Sequence, residues 1–83
     1  MDTITTPQVR ALTPADEVEL LKRFSYHAPK DDQPARYIAL RENARVLATQ
    51  IIQYAPDSRE RSLAITKLEE AVFWANAAIA RNE

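Results

Sequence analysis

Two long runs of apolar residues, each spaced alternately three and four positions apart, constrain the fold of this 83-residue chain more than any other feature. This spacing places the apolar side chains along one stripe of an α-helix. The first run is Tyr37, Leu40, Ala44, Leu47, Ile51 and Tyr54, and the second is Ile65, Leu68, Val72, Ala75 and Ile79. The pattern predicts two long helices, over residues 34–54 and 58–81.

The segment between the two predicted helices is too short for the helices to run parallel. Ala55, Pro56 and Asp57 separate them, and proline ends the first helix because it cannot continue the hydrogen-bond ladder. Helices joined by so few residues are antiparallel neighbours. Either Asp57 or Ser58 is expected to cap the second helix, with Glu60 completing a capping box from Asp57.

A shorter helix precedes this hairpin. Thr13 followed by Pro14, with Asp16 three residues after the cap, is typical of a helix start. The sequence predicts a helix over residues 13–24 and a loop over residues 25–33. The predicted fold class is all-α: a short N-terminal helix plus a long antiparallel helical hairpin.

Length limits the chain to one domain, which we expect over residues 13–83 after a partly flexible N-terminal segment, residues 1–12. Domains of this size bury little surface and usually need a disulfide, a metal or a partner. The chain has no cysteine and one histidine, so neither a disulfide nor a closed zinc site is expected. We therefore expect a homo-oligomer.

Phe73 and Trp74 lie off the main stripe of the last helix, among many alanines. Two interpretations remain open for these aromatic side chains. They pack as intramolecular core beneath the first helix, or they belong to a surface that associates with other copies.

Composition excludes several classes of function. The chain has no glycine and no paired histidines, so it lacks the phosphate-cradling loop, the nucleophile elbow and the metalloprotease helix. No catalytic residue, metal or cofactor is expected. The net charge of −1 argues against duplex nucleic acid and anionic membranes as partners. No apolar run is long enough to cross a bilayer, and the polar start of the chain is not a signal peptide, so a cytoplasmic location is expected.

One part of the sequence combines aromatic and cationic side chains, as a phosphorylated aromatic ligand requires. Arg36 also lies in the first turn of a predicted helix, where backbone N–H groups favour anions. A structural interpretation remains open, in which Phe24 closes the core and the basic residues are surface charges. Single-stranded RNA is a further alternative ligand. The candidates on chemical grounds are Phe24, Tyr26, His27, Lys30, Arg36 and Tyr37.

Two stretches resemble a known family. They are RALTPADEVELLKRF, with an R-x-L-T helix start at Arg10, and SLAITKLEEAVFWANAAIARNE from Ser62 to Glu83. Both resemble the anti-defence cyclic-nucleotide sponges, the hairpin-domain proteins that phages use against CBASS and Thoeris signalling. The resemblance covers most of the chain, from Arg10 to Glu83.

The resemblance implies a helical protomer that assembles as a hexamer of paired hairpins in the infected bacterial host. Between subunits it would hold cyclic dinucleotides, cyclic trinucleotides or cyclic ADP-ribose isomers without cleaving them. The chain departs from the family at Val9, where an aromatic residue is expected, and near Phe24, where a basic one is expected. Arg10 is carried over from the family, and Lys22 and Arg23 are approximate substitutes. The alternative is a structural or protein-interaction helical-hairpin module.

Overall fold

The computed structural model describes residues 6–83, which form three α-helices and contain no β-strand. Helix α1 spans Pro14–Phe24, α2 spans Gln33–Tyr54 and α3 spans Arg59–Asn82. The all-α prediction is confirmed for this part of the chain. The N-terminal segment predicted to be partly flexible is residues 1–12, of which residues 1–5 lie outside the described residues. Residues 6–12 are exposed and have no regular secondary structure.

Local capping defines the start of α1. The Thr13 hydroxyl accepts a hydrogen bond from the Asp16 backbone N–H at 3.1 Å, and the Asp16 carboxylate accepts one from the Thr13 N–H at 3.0 Å. This reciprocal pair is a capping box, which satisfies donors that the first helical turn leaves unpaired. Lys22 and Arg23 lie in the last turn, where cations complement the helix dipole. The structure confirms the predicted helix start.

Helices α2 and α3 pack as an antiparallel hairpin. The start of α2 meets the end of α3, because the Gln33 side-chain amide donates to the Glu83 carboxylate at 3.1 Å. Most residues of the two apolar runs are half-buried along the line where the helices meet. Leu47 and Tyr54 remain exposed, so this packing is incomplete toward the corner. The hairpin prediction is confirmed.

At the corner between α2 and α3, the structure decides between the two predicted caps and contradicts the predicted capping box. The Ser58 hydroxyl accepts the Arg61 backbone N–H at 3.1 Å, so Ser58 caps α3. The expected capping box of Asp57 and Glu60 is wrong, because Asp57 instead pairs with the Arg61 guanidinium at 3.0 Å. The same guanidinium donates to the Ala55 carbonyl at 3.3 Å. The Arg61 side chain therefore links the end of α2 to the start of α3.

A tight turn leads into α2. Asp31 has a φ of 50°, in the left-handed region that aspartate tolerates better than most residues with a side chain. Helix α2 then begins at Gln33, one position before the predicted start. Gln33 is 3% exposed, and its side-chain oxygen accepts the Lys30 backbone N–H at 3.1 Å. It is the one fully buried residue in the described part of the chain.

The single chain is a thin plate with an unusually large surface. It measures 62 × 44 × 15 Å, and its radius of gyration is 20.1 Å, against about 12 Å for a compact domain of this length. No apolar residue among residues 6–83 is fully buried. Phe73 and Trp74 are 61% and 65% exposed, so the interpretation of them as intramolecular core is wrong. A helix of three turns covers too little of α3 to bury them.

Candidate functional site

A cleft of about 300 Å³ lies between the second half of α1 and the last turns of α3. Ala77 and Ala78 of α3 line it together with residues of α1. Four types of group line this space: cations, one carboxylate, one amide and one indole ring. The lining residues are Glu19, Lys22 and Arg23 from α1, and Trp74, Ala77, Ala78, Arg81 and Asn82 from α3.

The cleft carries net positive charge. Lys22, Arg23 and Arg81 contribute three cations and Glu19 one carboxylate. Glu19 Oε1 accepts a hydrogen bond from Arg23 Nε at 2.7 Å. This hydrogen bond lowers the pKa of Glu19 from its ordinary value of 4.5, so Glu19 is ionised at neutral pH. The Arg81 guanidinium donates to the Arg23 carbonyl at 3.4 Å, which ties the end of α1 to α3.

Trp74 supplies the aromatic wall of the cleft. Its side chain keeps most of its surface open to solvent, with Ala77 and Ala78 next along the same helix face. An exposed indole beside cations suits a ligand that joins a flat aromatic group to an anion, since the ring stacks while guanidinium and ammonium groups bind phosphate. The cleft thus combines an aromatic surface with cationic side chains.

The structure places two of the predicted site residues, Lys22 and Arg23, in this cleft. Phe24 and Tyr26 lie just beyond it at the end of α1, where they are 82% and 86% exposed. Arg10 is exposed in the non-helical segment before α1. The nine predicted residues therefore do not form a single pocket in one protomer.

His27 and Lys30 lie in the segment between α1 and α2. His27 Nε2 is 2.8 Å from the Lys22 carbonyl oxygen, so the imidazole closes the end of α1 rather than pointing to a ligand. The Lys30 side chain is exposed. The cleft is thus formed by helix ends and not by this loop.

Arg36 is occupied by acidic partners. Its Nη1 donates to Glu83 Oε2 at 2.6 Å, its Nη2 also contacts the Glu83 carboxylate, and Asp32 lies 3.2 Å away. The Arg36 hydrogen bond lowers the pKa of Glu83 to about 2, and the same contact raises the pKa of Arg36. This pairing fastens the open end of the hairpin. The structure therefore does not place Arg36 in the cleft.

A second depression of about 480 Å³ follows the groove between α2 and α3. Arg41, Arg45 and Phe73 border it, and its floor is apolar. Asn76 borders it too, and the Asn76 side-chain oxygen is buried with no hydrogen-bond partner among residues 6–83. Tyr37 lies in the adjoining depression beside Arg41 and Asn76. This groove is a surface that lacks a cover in the single chain.

Sequence reasoning missed the contribution of α3 to the cleft. Trp74 and Arg81 are seven positions apart, with Ala77 and Ala78 between them, which places all four on one face of a helix. That pattern of an aromatic residue, small residues and a cation was a usable signal. Trp74 and the alanines were interpreted only as packing surface, and Arg81 was not singled out, because the position of α1 against this face was not known.

Two further observations concern residues 6–83. This part of the chain holds no cluster of three or more His, Cys, Asp or Glu side chains placed to bind a metal ion. None of its helices combines the length and apolar character that crossing a bilayer requires.

The fold is that of a helical-hairpin protein, with a cationic and aromatic cleft between α1 and α3. The chain belongs to the Acb2/Tad1 hairpin-domain family, the phage anti-defence cyclic-nucleotide sponges, because the family model described as "Acb2/Tad1, hairpin domain" matches residues 16–80. The family binds its ligands and is not enzymatic. No curated protein and no solved structure shows significant similarity to the chain. The resemblance seen in the sequence is confirmed.

Proposed function

We propose that the protein binds a cyclic nucleotide immune second messenger of CBASS or Thoeris signalling and sequesters it without cleaving it, in the cytoplasm of an infected bacterium. The observation that supports this proposal is the cleft that Lys22, Arg23 and Arg81 line together with an exposed Trp74. Membership of a family of phage sponges supports it independently. The ligand is a cyclic dinucleotide, a cyclic trinucleotide or a cyclic ADP-ribose isomer.

Each part of the cleft has a distinct role in this proposal. Trp74 stacks against one base, an interaction worth about 1–3 kcal/mol per base. The Arg23 and Arg81 guanidinium groups and the Lys22 ammonium bind the phosphates, by charge-assisted hydrogen bonds that are stronger than neutral ones. Binding alone then lowers the free messenger concentration below what a bacterial effector needs. Recovery of an unchanged messenger after long incubation checks that no cleavage occurs.

We further propose that the cleft acts within a closed assembly of several copies, such as a hexamer. The protomer exposes 7290 Å², against about 5000 Å² for a monomeric protein of 9.4 kDa. The excess of about 2300 Å² is enough for more than one interface, since a specific interface covers about 800 Å² of each partner.

Self-association gives a role to predicted site residues that lie outside the cleft of their own chain. Phe24 and Tyr26 project from the end of α1, and Lys30 and Arg10 are exposed nearby in sequence. In an assembly these residues contact a ligand shared between two copies. Tyr26→Ala and Lys30→Ala are then expected to weaken binding without dissolving the assembly. Unchanged affinity in both variants would restrict the site to the α1–α3 cleft.

Titration calorimetry with a panel of cyclic dinucleotides, cyclic trinucleotides and cyclic ADP-ribose isomers tests the function. We expect sub-micromolar affinity for at least one of them. Trp74→Ala should weaken that binding about tenfold or more, because the stacking surface is lost. Tyr54→Ala is the matched control, since Tyr54 is an exposed aromatic residue at the opposite end of the hairpin and should leave the affinity unchanged.

Two results would count against this function. Absence of sub-micromolar binding to every messenger in the panel would remove it and leave the fold as described. Equal losses in Trp74→Ala and Tyr54→Ala would show that the cleft is not the binding site.

A protein-interaction module is the second candidate function. The observation that favours it is the exposed apolar surface of α1, where Val18 and Leu21 are 66% and 67% exposed. In this case α1 packs against a host or phage protein instead of another copy. An assembly that stays intact but binds no messenger from the panel would support this alternative.

A further inference from the structure

Glu19 is the one carboxylate among the described residues that line the α1–α3 cleft. A carboxylate repels phosphate, so it weakens the general attraction of a site built from Lys22, Arg23 and Arg81 for anions. An ionised carboxylate accepts hydrogen bonds and cannot donate them. Its place in the cleft therefore points to a part of the ligand that donates hydrogen bonds.

The geometry of Glu19 leaves capacity for such a contact. Oε1 accepts from Arg23 Nε at 2.7 Å, which uses one of its acceptor positions and fixes the direction of the side chain. Oε2 has no hydrogen-bond partner within residues 6–83, and 49% of the side chain remains exposed. The carboxylate is thus both oriented by Arg23 and available to a ligand that stacks against Trp74.

We propose that Glu19 selects messengers that contain guanine, by accepting hydrogen bonds from the N1–H and the 2-amino group of a base stacked on Trp74. This inference rests on the proposed function. Guanine presents two adjacent donors on its Watson–Crick edge, and they match the two oxygens of a carboxylate. Adenine presents its amino group beside the lone pair of N1, which a carboxylate repels. A site that hydrogen-bonds its ligand in this way rejects the analogue that lacks the donors.

Calorimetry with cyclic di-GMP and cyclic di-AMP tests the selection. We expect the wild type to bind cyclic di-GMP about tenfold or more tightly than cyclic di-AMP. In Glu19→Gln, affinity for cyclic di-GMP should fall about tenfold, while affinity for cyclic di-AMP holds or rises because the repulsive charge is gone. Glu17→Gln is the control, since it removes the same charge from α1 at an exposed position outside the cleft. It should not change the ratio of the two affinities.

Two modified ligands separate the base from the ribose. Replacing guanine by hypoxanthine removes the 2-amino donor, and cyclic di-IMP should bind the wild type more weakly than cyclic di-GMP. Removing the 2′-hydroxyls of cyclic di-GMP should leave the effect of Glu19→Gln in place. Loss of that effect with the deoxy ligand would mean that Glu19 contacts the ribose, which would overturn the inference.

Failure of this inference is distinguishable from failure of the proposed function. If both cyclic dinucleotides bind the wild type and Glu19→Gln leaves their affinity ratio unchanged, the role of Glu19 is refuted and sequestration stands. If neither these nor any other messenger in the panel binds the wild type, the inference and the proposed function fall together.

Discussion

Different kinds of interaction hold the α2–α3 hairpin and helix α1 in place. The hairpin joins two long helices through apolar stripes and fastens their open end with Gln33, Arg36 and Glu83. Helix α1 has a complete capping box but rests on α3 through the polar contact of Arg81 with the Arg23 carbonyl. The hairpin is stabilised by contacts between residues far apart in the sequence, whereas α1 is stabilised chiefly by contacts within the helix.

This difference bears on function, because the cleft lies between the two regions. One wall, with Trp74 and Arg81, belongs to the packed hairpin, and the other, with Lys22 and Arg23, belongs to the lightly attached helix. Regions with few apolar contacts open at low free-energy cost. On our proposal, a ligand or another copy that contacts both walls would fix the position of α1.

The largest expected effect comes from a charge placed between α2 and α3. Leu68→Glu removes a half-buried apolar side chain from the packed line and puts a carboxylate there, which should cost about 3 kcal/mol or more. Thermal unfolding followed by circular dichroism should show a large fall in Tm.

The matched control for this variant is Leu21→Glu, on the exposed face of α1. It should change the free energy of unfolding of the hairpin by no more than about 0.5 kcal/mol. Similar losses of unfolding free energy in both variants would mean that α1 is as much a part of the folded core as the hairpin. The two regions would then not be stabilised differently.

A smaller effect is expected from the cap of α1. Thr13→Ala removes a hydroxyl that accepts the Asp16 N–H, and losing such a cap costs about 1 kcal/mol. Hydrogen exchange should therefore speed up about fivefold in the amides of α1 and stay unchanged in α2. Thr6→Ala, at an exposed position outside the helices, should alter neither. Equal acceleration in α2 would show that α1 and the hairpin unfold together.

The smallest effect should come from the contact that fastens the open end of the hairpin. Glu83→Gln removes the charge that pairs with Arg36, and partly exposed ion pairs contribute little, so Tm should fall less than with Leu68→Glu. The pKa of Glu83 is lowered from 4.5 to about 2. Its contribution is therefore complete above pH 4.5 and is lost as pH falls toward 2.

Melting curves of the wild type and Glu83→Gln between pH 7 and pH 2 check this dependence. The difference in Tm should be constant down to about pH 4.5 and then shrink. A difference that persists unchanged at pH 2 would show that the charge of Glu83 is not what stabilises the contact.

The hairpin and the start of α1 could be predicted because their signals are local. Heptad spacing fixes which faces of α2 and α3 meet, and the Thr13–Pro14–Asp16 pattern fixes a helix start without reference to the rest of the chain. The capping of α3 was open between Asp57 and Ser58. It was decided by Arg61, whose long side chain draws Asp57 away from the helix start.

The site was harder to predict because it depends on how separate elements are placed. Lys22 and Arg23 were predicted, whereas Trp74 and Arg81 lie more than 50 residues further along the sequence. Trp74 had been interpreted only as packing surface, and Arg81 had not been singled out. Arg36 seemed available to an anion because spacing alone does not reveal that Glu83 reaches it. Contacts between residues that are far apart in the sequence produce no local sequence pattern from which they could be predicted.

We propose that copies of this chain assemble into a closed structure that holds an intact messenger. Native mass spectrometry of the full chain, with and without the tightest-binding member of the messenger panel, tests it most directly. We predict an even-numbered assembly that gains the mass of unmodified ligand and releases that ligand unchanged. A stable single chain that takes up no ligand would contradict the account.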